Sequence, residues 1–234
     1  MKPGKLYLIP VVIQEEALQT IPAYIVDAVK ECTVFFVENE RTARRFLKKL
    51  WRELPVDERR WYTIHKAEDD VRNSFRKELA SGQVIGLLSE AGCPGVADPG
   101  QLLIGEAQQM NALVQPLVGP SSILLALMGS GLNGQRFQFH GYLPIDTGQR
   151  QKAIQELEAY SRRYTCTQLF IETPYRNNQM LESLLKTLSP STYVCVACDL
   201  TGPQEFIKTR KVADWKKELP DLHKKPTIFL LLAN

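Results

Sequence analysis

The stretch LLSEAGCPGVADPG, residues 87–100, decides how the chain is read. An apolar run ends at Ser89, and the residues from there to Gly100 include two acids, three glycines and two prolines. Glycine and proline punctuate turns, and this density describes a backbone shaped to touch something. A buried-type strand over 84–89 feeds the loop. Asp98 and Pro99 then supply an expected N-cap and first-turn proline for a helix. Open α/β sheets bind ligands at the carboxyl ends of their strands, and consecutive backbone N–H groups there suit a carboxylate or phosphate. The plainer alternative is a tight turn whose glycines serve geometry alone.

The segments around this loop repeat its pattern. Strands are expected at 6–13, 33–37, 61–64, 84–89 and 113–118, with helices at 20–30, 41–54 and 69–80 between them. Such alternation predicts a parallel sheet covered by helices. After Pro120 the pattern changes. Helices at 121–131 and 148–161, strands at 137–142, 168–172 and 192–198, a hairpin at 205–210 and a last strand at 227–232 predict a mixed sheet. We therefore expect two α/β domains, 1–118 with a mostly parallel sheet and 119–234 with a mixed one.

Composition sets the class. The 234 residues are 44% apolar and 24% charged, as in a globular protein with a real core. The net charge of +3 permits an acidic partner without demanding one. The five cysteines are an odd number, which argues for reduced thiols in a cytoplasmic protein. Cys195 and Cys198 have zinc-like spacing, but no second Cys or His pair accompanies them, so they read as small core residues. No basic segment followed by an apolar core opens the sequence. The longest apolar stretch, 117–132, is interrupted by Gly119, Pro120, Gly129 and Gly131, so no membrane span is expected. Neither a Gly-x-Gly-x-x-Gly after the first strand nor a Gly-Lys-Ser/Thr phosphate loop is present, which lowers dinucleotide and nucleoside-triphosphate readings.

Other strand exits resemble the one at 89–100. Gly119-Pro120-Ser121-Ser122, Ile171-Glu172-Thr173-Pro174 and Ala197-Cys198-Asp199-Leu200 each leave a strand through a turn. Thr173-Pro174 again looks like a cap and first-turn proline. Four such exits would suit a small-molecule cleft between the halves, although every βα unit needs a turn of some kind. On the helix over 41–52, Arg41, Arg44, Arg45, Lys48 and Arg52 share one face, while Ala43, Phe46, Leu47 and Leu50 share the other. A basic stripe suits RNA phosphates, and it also describes an ordinary solvated face. His65, next to Lys66 and near Glu68, sits at a strand exit. His140 and His223 have no acid–base or metal-spaced partners in the sequence.

These residues together resemble the tetrapyrrole (corrin/porphyrin) methylase superfamily, and within it the small-subunit ribosomal RNA 2′-O-ribose methyltransferases. The pattern Ser-Asp-Ala-Gly-x-Pro-x-x-x-Asp-Pro-Gly is matched at 89–100 with Glu90 in second place. Further matches are Val-Gly-Pro-Ser-Ser at 118–122, Glu38 with Arg41 and Arg44, Gly131-Leu132 with Phe137, Gly-Tyr-Leu-Pro at 141–144 and Glu-Thr-Pro-Tyr-Arg at 172–176. Three segments depart from the branch. Pro10-Val-Val-Ile-Gln-Glu-Glu lacks the glycine expected after the first strand, His65-Lys-Ala-Glu68 shortens a His-Glu-x-x-Glu segment, and Glu38-Asn39-Glu40-Arg41 replaces Glu-Asp-Thr-Arg.

The resemblance implies a homodimer with S-adenosylmethionine bound in a cleft between two α/β domains. The first domain would face the acceptor and the second the adenosine. Cofactor contacts carry over to Pro10, to Ser89, Glu90, Ala91, Gly92, Val96 and Ala97, to Ser121 and Ser122, to Ile171 and Glu172, to Ala197, Cys198 and Leu200, and to Pro226 and Thr227. The loop at 89–97 would hold the methionine part. Methyl transfer is an in-line displacement that needs the nucleophile about 3–3.5 Å from the methyl carbon. A ribose hydroxyl profits from a positioned base. Glu38, at the end of the second strand, is the expected base, with Arg41 positioning it or holding a phosphate; a structural ion pair is the alternative. Arg44, Arg45 and Lys48 are the expected RNA contacts. A methyltransferase for a small acceptor such as a tetrapyrrole, or a non-catalytic cofactor- or RNA-binding relative, also fits.

Overall fold

The computed structural model describes residues 3–64, 69–215 and 217–233. His65, Lys66 and Glu68 therefore lie outside the described residues. The chain forms two compact units, Met1–Ser121 and Ser122–Asn234.

The first unit holds strands β1 (Lys5–Leu8), β2 (Val34–Val37), β3 (Arg60–Thr63), β4 (Val84–Leu88) and β5 (Leu113–Pro116). Its helices are α1 (Ile25–Glu31), α2 (Glu40–Leu50), α3 (Asp69–Ala80) and α4 (Gln101–Gln109). The strands lie in the order β3-β2-β4-β1-β5, all parallel. The sequence of β2, Val-Phe-Phe-Val, shows why. Its side chains alternate between faces. Phe35 and Val37 enter one core with Ile9, Val29, Phe46 and Leu47, whereas Val34 and Phe36 enter another with Leu6, Phe75, Leu79 and Leu103. A sheet buried on both faces is what a parallel arrangement requires.

The second unit contains α5 (Ser122–Ser130), β6 (Phe137–Tyr142), α6 (Thr147–Tyr164), β7 (Thr167–Ile171), α7 (Asn177–Thr187), β8 (Tyr193–Cys198), β9 (Phe206–Lys211), α8 (Val212–Trp215) and β10 (Thr227–Leu232). Its sheet has the order β6-β7-β10-β8-β9. Only the β6–β7 pair is parallel, so the sheet is mixed as expected. Cys195 packs with Leu169, Ala197 and Leu230, whereas Cys198 packs with Val194, Val196 and Phe229. Three residues apart on one strand, the two thiols point to opposite faces and share no ligand. No helix among the described residues is long and apolar enough to cross a membrane.

Helix starts differ from the expectation at three places. Residues 18–20 form a short 3-10 turn and α1 begins only at Ile25. Gly100, at φ +120°, occupies the N-cap of α4, so Asp98 and Pro99 precede the helix and do not cap it. Helix α7 begins at Asn177, after a turn in which the Arg176 N–H donates to the Thr173 carbonyl at 2.9 Å. Two caps that the expectation omitted do form: Asn39 accepts from the Arg41 and Thr42 N–H groups at 3.0 and 3.3 Å at the start of α2, and Asp146 accepts from the Gln149 N–H at 2.9 Å at the start of α6.

Candidate functional site

In the first unit, strand neighbourhood gathers the exits. β1 and β4 run side by side. Just past them Gly92, at φ +69°, turns the chain back. Val11 and Gly92 then exchange both backbone hydrogen bonds, Val11 N–H to Gly92 at 2.8 Å and Gly92 N–H to Val11 at 3.0 Å. A residue with a side chain adopts that φ only at a cost. From β5, Gly119 lies against Pro10 so closely that a Cβ there would sit 2.1 Å from the Pro10 Cβ. Cys93 Sγ reaches the Pro120 carbonyl at 3.5 Å. From β2, Glu38 Oε2 accepts the Glu90 N–H at 3.0 Å.

Pro10, Glu38, Ser89, Glu90, Ala91 and Gly92 thus belong to one neighbourhood, with Val96 and Ala97 further along the same loop. Ala97 also has a positive φ, at 63°. The N–H groups of Glu90, Gly92 and Val96 are taken by Glu38, Val11 and Cys93, so the loop does not present an unbroken row of donors. Its electrostatics are acidic. Burial, followed by the charge of Glu38, pushes the Asp98 carboxyl up to about 6, against a lowering hydrogen bond from Ser89. The charges of Glu38 and Glu90 both act on Asp98, and such a field favours a ligand carrying positive charge. Arg41 is exposed at the start of α2, and among the described residues it makes no ion pair with Glu38.

The basic face of α2 is largely paired. Arg44 bonds Glu40 at 2.7 Å and Asp57 at 3.3 Å, and its guanidinium lies 5.0 Å from the Trp61 ring centre. Arg45 meets Glu15 at 3.5 Å. Lys48 donates to the Arg52 carbonyl at 3.1 Å. Lys49, one turn beyond Arg45, is absent from the expected RNA contacts, yet it reaches both Glu15 and Glu16 at 3.3 and 3.4 Å. The i, i+4 spacing of Arg45 and Lys49 is the signal that could have found it.

The second unit gathers its own set. Ile228 pairs with Ile171 on one side and Ala197 on the other, and Thr227 pairs with Cys198. The Asp199 N–H donates to the Pro226 carbonyl at 2.9 Å. Ile171, Ala197 and Leu200 share a cluster with Ala126 and Leu127 of α5, the helix that Ser122 begins. Glu172, buried just beyond β7, accepts from the Thr173 N–H and from Arg176, both at 2.6 Å. Among the described residues its Oε2, which is buried, has no hydrogen-bond partner. His140 bonds Gln168 at 2.7 Å, and His223 stands edge-on to Tyr175.

A profile of the tetrapyrrole (corrin/porphyrin) methylases matches residues 5–215. The chain belongs to that family. The resemblance drawn from the sequence is therefore confirmed, and the family's members are S-adenosylmethionine-dependent methyltransferases. Among curated relatives, ribosomal RNA small subunit methyltransferase I of Vibrio cholerae serotype O1 is 35% identical over 158 residues, covering 66% of this chain and 53% of that protein. Its namesake in Buchnera aphidicola subsp. Schizaphis graminum is 27% identical over 234 residues, covering 99% and 79%. The chain thus spans about half the length of the Vibrio relative. In fold it is similar to a uroporphyrin-III-C-methyltransferase from Thermus thermophilus, with a TM-score of 0.57 at 14% identity over 99% of this chain and 93% of that one. At that identity the likeness speaks to fold alone.

Proposed function

We infer that this tetrapyrrole methylase relative is an S-adenosylmethionine-dependent methyltransferase acting on RNA, at a ribose 2′-hydroxyl. The observation that carries the reading is the gathering of Pro10, Glu38 and the 89–97 loop by the Val11–Gly92 bridge and the Glu38–Glu90 hydrogen bond. The names of the curated relatives support RNA as the acceptor.

The residues present fit the cofactor. The positive-φ backbone at Gly92, Gly95 and Ala97 curves the loop main chain, and the acids around it favour a cation. When bound, S-adenosylmethionine supplies an electrophilic methyl on a positively charged sulfur. In the first unit Pro10, Ser89, Glu90, Ala91, Gly92, Val96, Ala97 and Ser121 would hold its methionine part. In the second, Ser122, Ile171, Glu172, Ala197, Cys198, Leu200, Pro226 and Thr227 are assigned to the adenosine. Glu38 takes the proton from the acceptor hydroxyl, and Arg41, unpaired with Glu38, is available to a phosphate. This reading carries a cytoplasmic location, which the five free thiols support, and a homodimer, which sedimentation would test.

One observation favours a small acceptor instead. Arg44 is pinned between Glu40 and Asp57, and Arg45 is paired with Glu15, so much of the basic face is already neutralised. The deciding experiment is methyl transfer from labelled cofactor into total RNA from a strain lacking this protein. Incorporation into RNA supports the first reading. Turnover confined to a tetrapyrrole fraction would replace it with the second.

A further inference from the structure

Between the exit of β1 and helix α2 lies a groove of about 240 Å³, contained within the first unit. Val12 and Phe46, both largely buried, line it with apolar surface. Arg45 and Lys49 form a cationic wall. Glu90, from the β4 loop, is also in the lining, and its Oε1 accepts from the Thr42 hydroxyl at 3.3 Å. The two cations are bridged by one carboxylate. Glu15 Oε2 faces Arg45 at 3.5 Å while its Oε1 faces Lys49 at 3.3 Å.

We propose that Arg45 and Lys49 form a phosphate site for the acceptor RNA, and that Glu15 holds the place of that phosphate until the RNA displaces it. Two oxygens of one anion spread across two cations is the arrangement a phosphodiester makes. Displacement is feasible because the pairs are exposed: the side chains of Glu15 and Arg45 each retain 55% of their accessible surface, and exposed ion pairs hold weakly. The apolar lining behind the cations offers a surface to the sugar or base attached to that phosphate. Glu15 and Glu16 belong to the segment after β1, whose sequence Pro10-Val-Val-Ile-Gln-Glu-Glu places both acids beside the cationic wall of α2.

The proposal rests on the RNA reading and sharpens it, since it keeps Arg45 and puts Lys49 in place of Arg44 and Lys48. The test is binding of a short single-stranded RNA oligonucleotide to the full chain at several salt concentrations. Glu15→Gln should tighten binding by roughly two- to tenfold, the equivalent of an exposed ion pair or two no longer in competition. Arg45→Gln with Lys49→Gln should weaken it and reduce the slope of log K against log salt by about 0.7, the value for one single-strand phosphate that is no longer neutralised. These surface changes leave the apolar face of α2 alone, and a thermal melt checks the fold. If the parent binds RNA and all variants match its affinity and slope, the site is wrong and the RNA reading stands. If the parent binds no RNA but binds a polycarboxylated tetrapyrrole, both fail.

Discussion

Glu38 Oε2 accepts the backbone N–H of Glu90 at 3.0 Å, which ties the exit of β2 to the exit of β4 where the two strands lie side by side. One carboxylate therefore has two possible duties, to hold the loop and to take a proton, and substitution separates them.

Glu38→Gln keeps an oxygen acceptor for Glu90 but cannot serve as a base. Turnover should fall by about 10²-fold or more, with cofactor affinity and melting temperature close to the parent's. Glu38→Ala should in addition lose about 1 kcal/mol of stability in urea, as the hydrogen bond goes. A glutamine variant with the parent's turnover would leave Glu38 only its structural duty.

Gly92→Val places a β-branched residue at φ +69°. A Cβ there meets the Pro120 carbonyl at an ordinary 3.6 Å, so the cost lies in the dihedral angle and not in a clash. We expect a loss of about 1–2 kcal/mol, a fold that survives, and calorimetric cofactor binding that does not. Undiminished affinity would make this loop a turn and nothing more.

Asp98 makes stability depend on pH. Its folded carboxyl is raised to about 6 from the ordinary 3.8, chiefly by burial and then by Glu38. Between those values the folded state binds the proton that the unfolded state releases, so this group's contribution falls as pH rises from about 4 to about 6. Asp98→Asn removes the charge. Relative to the parent, the variant should gain stability across that window and hold the gain above it. Urea melts at pH 4 and pH 7 measure the difference, and a gap that did not widen with pH would contradict the assignment.

Arg44→Ala removes a guanidinium that bonds Glu40 and Asp57 and lies over Trp61. The expected cost is about 1 kcal/mol of stability, with the affinity for RNA and its salt slope unchanged. A shallower slope would return Arg44 to the RNA contacts.

The sheet architecture was legible because its signals are local. The alternation in β2 and the strand-helix rhythm follow from side chains a few positions apart. The helix starts were less legible, since Asp98 and Thr173 have the chemistry of a cap but the backbone turns on before their helices begin. Asp98 instead takes part in a long-range acidic cluster, which no spacing rule reveals. The same holds for α2: its basic periodicity is plain, but the acids that neutralise Arg45 and Lys49 come from 30 or more residues away, at Glu15 and Glu16. Charge read along one helix overstates the charge that a partner meets.

Four of the five cysteines are buried, and the fifth, Cys93, is half-exposed beside Gly92. Burial, and then the charge of Asp98, raise its thiol, so it reacts slowly at neutral pH and faster in alkali. A thiol-seeking dye on the native protein would accordingly attach at one address, in the loop between β4 and α4. The molecule carries a built-in reporter there, and no engineered label is needed to sense what binds beside that loop.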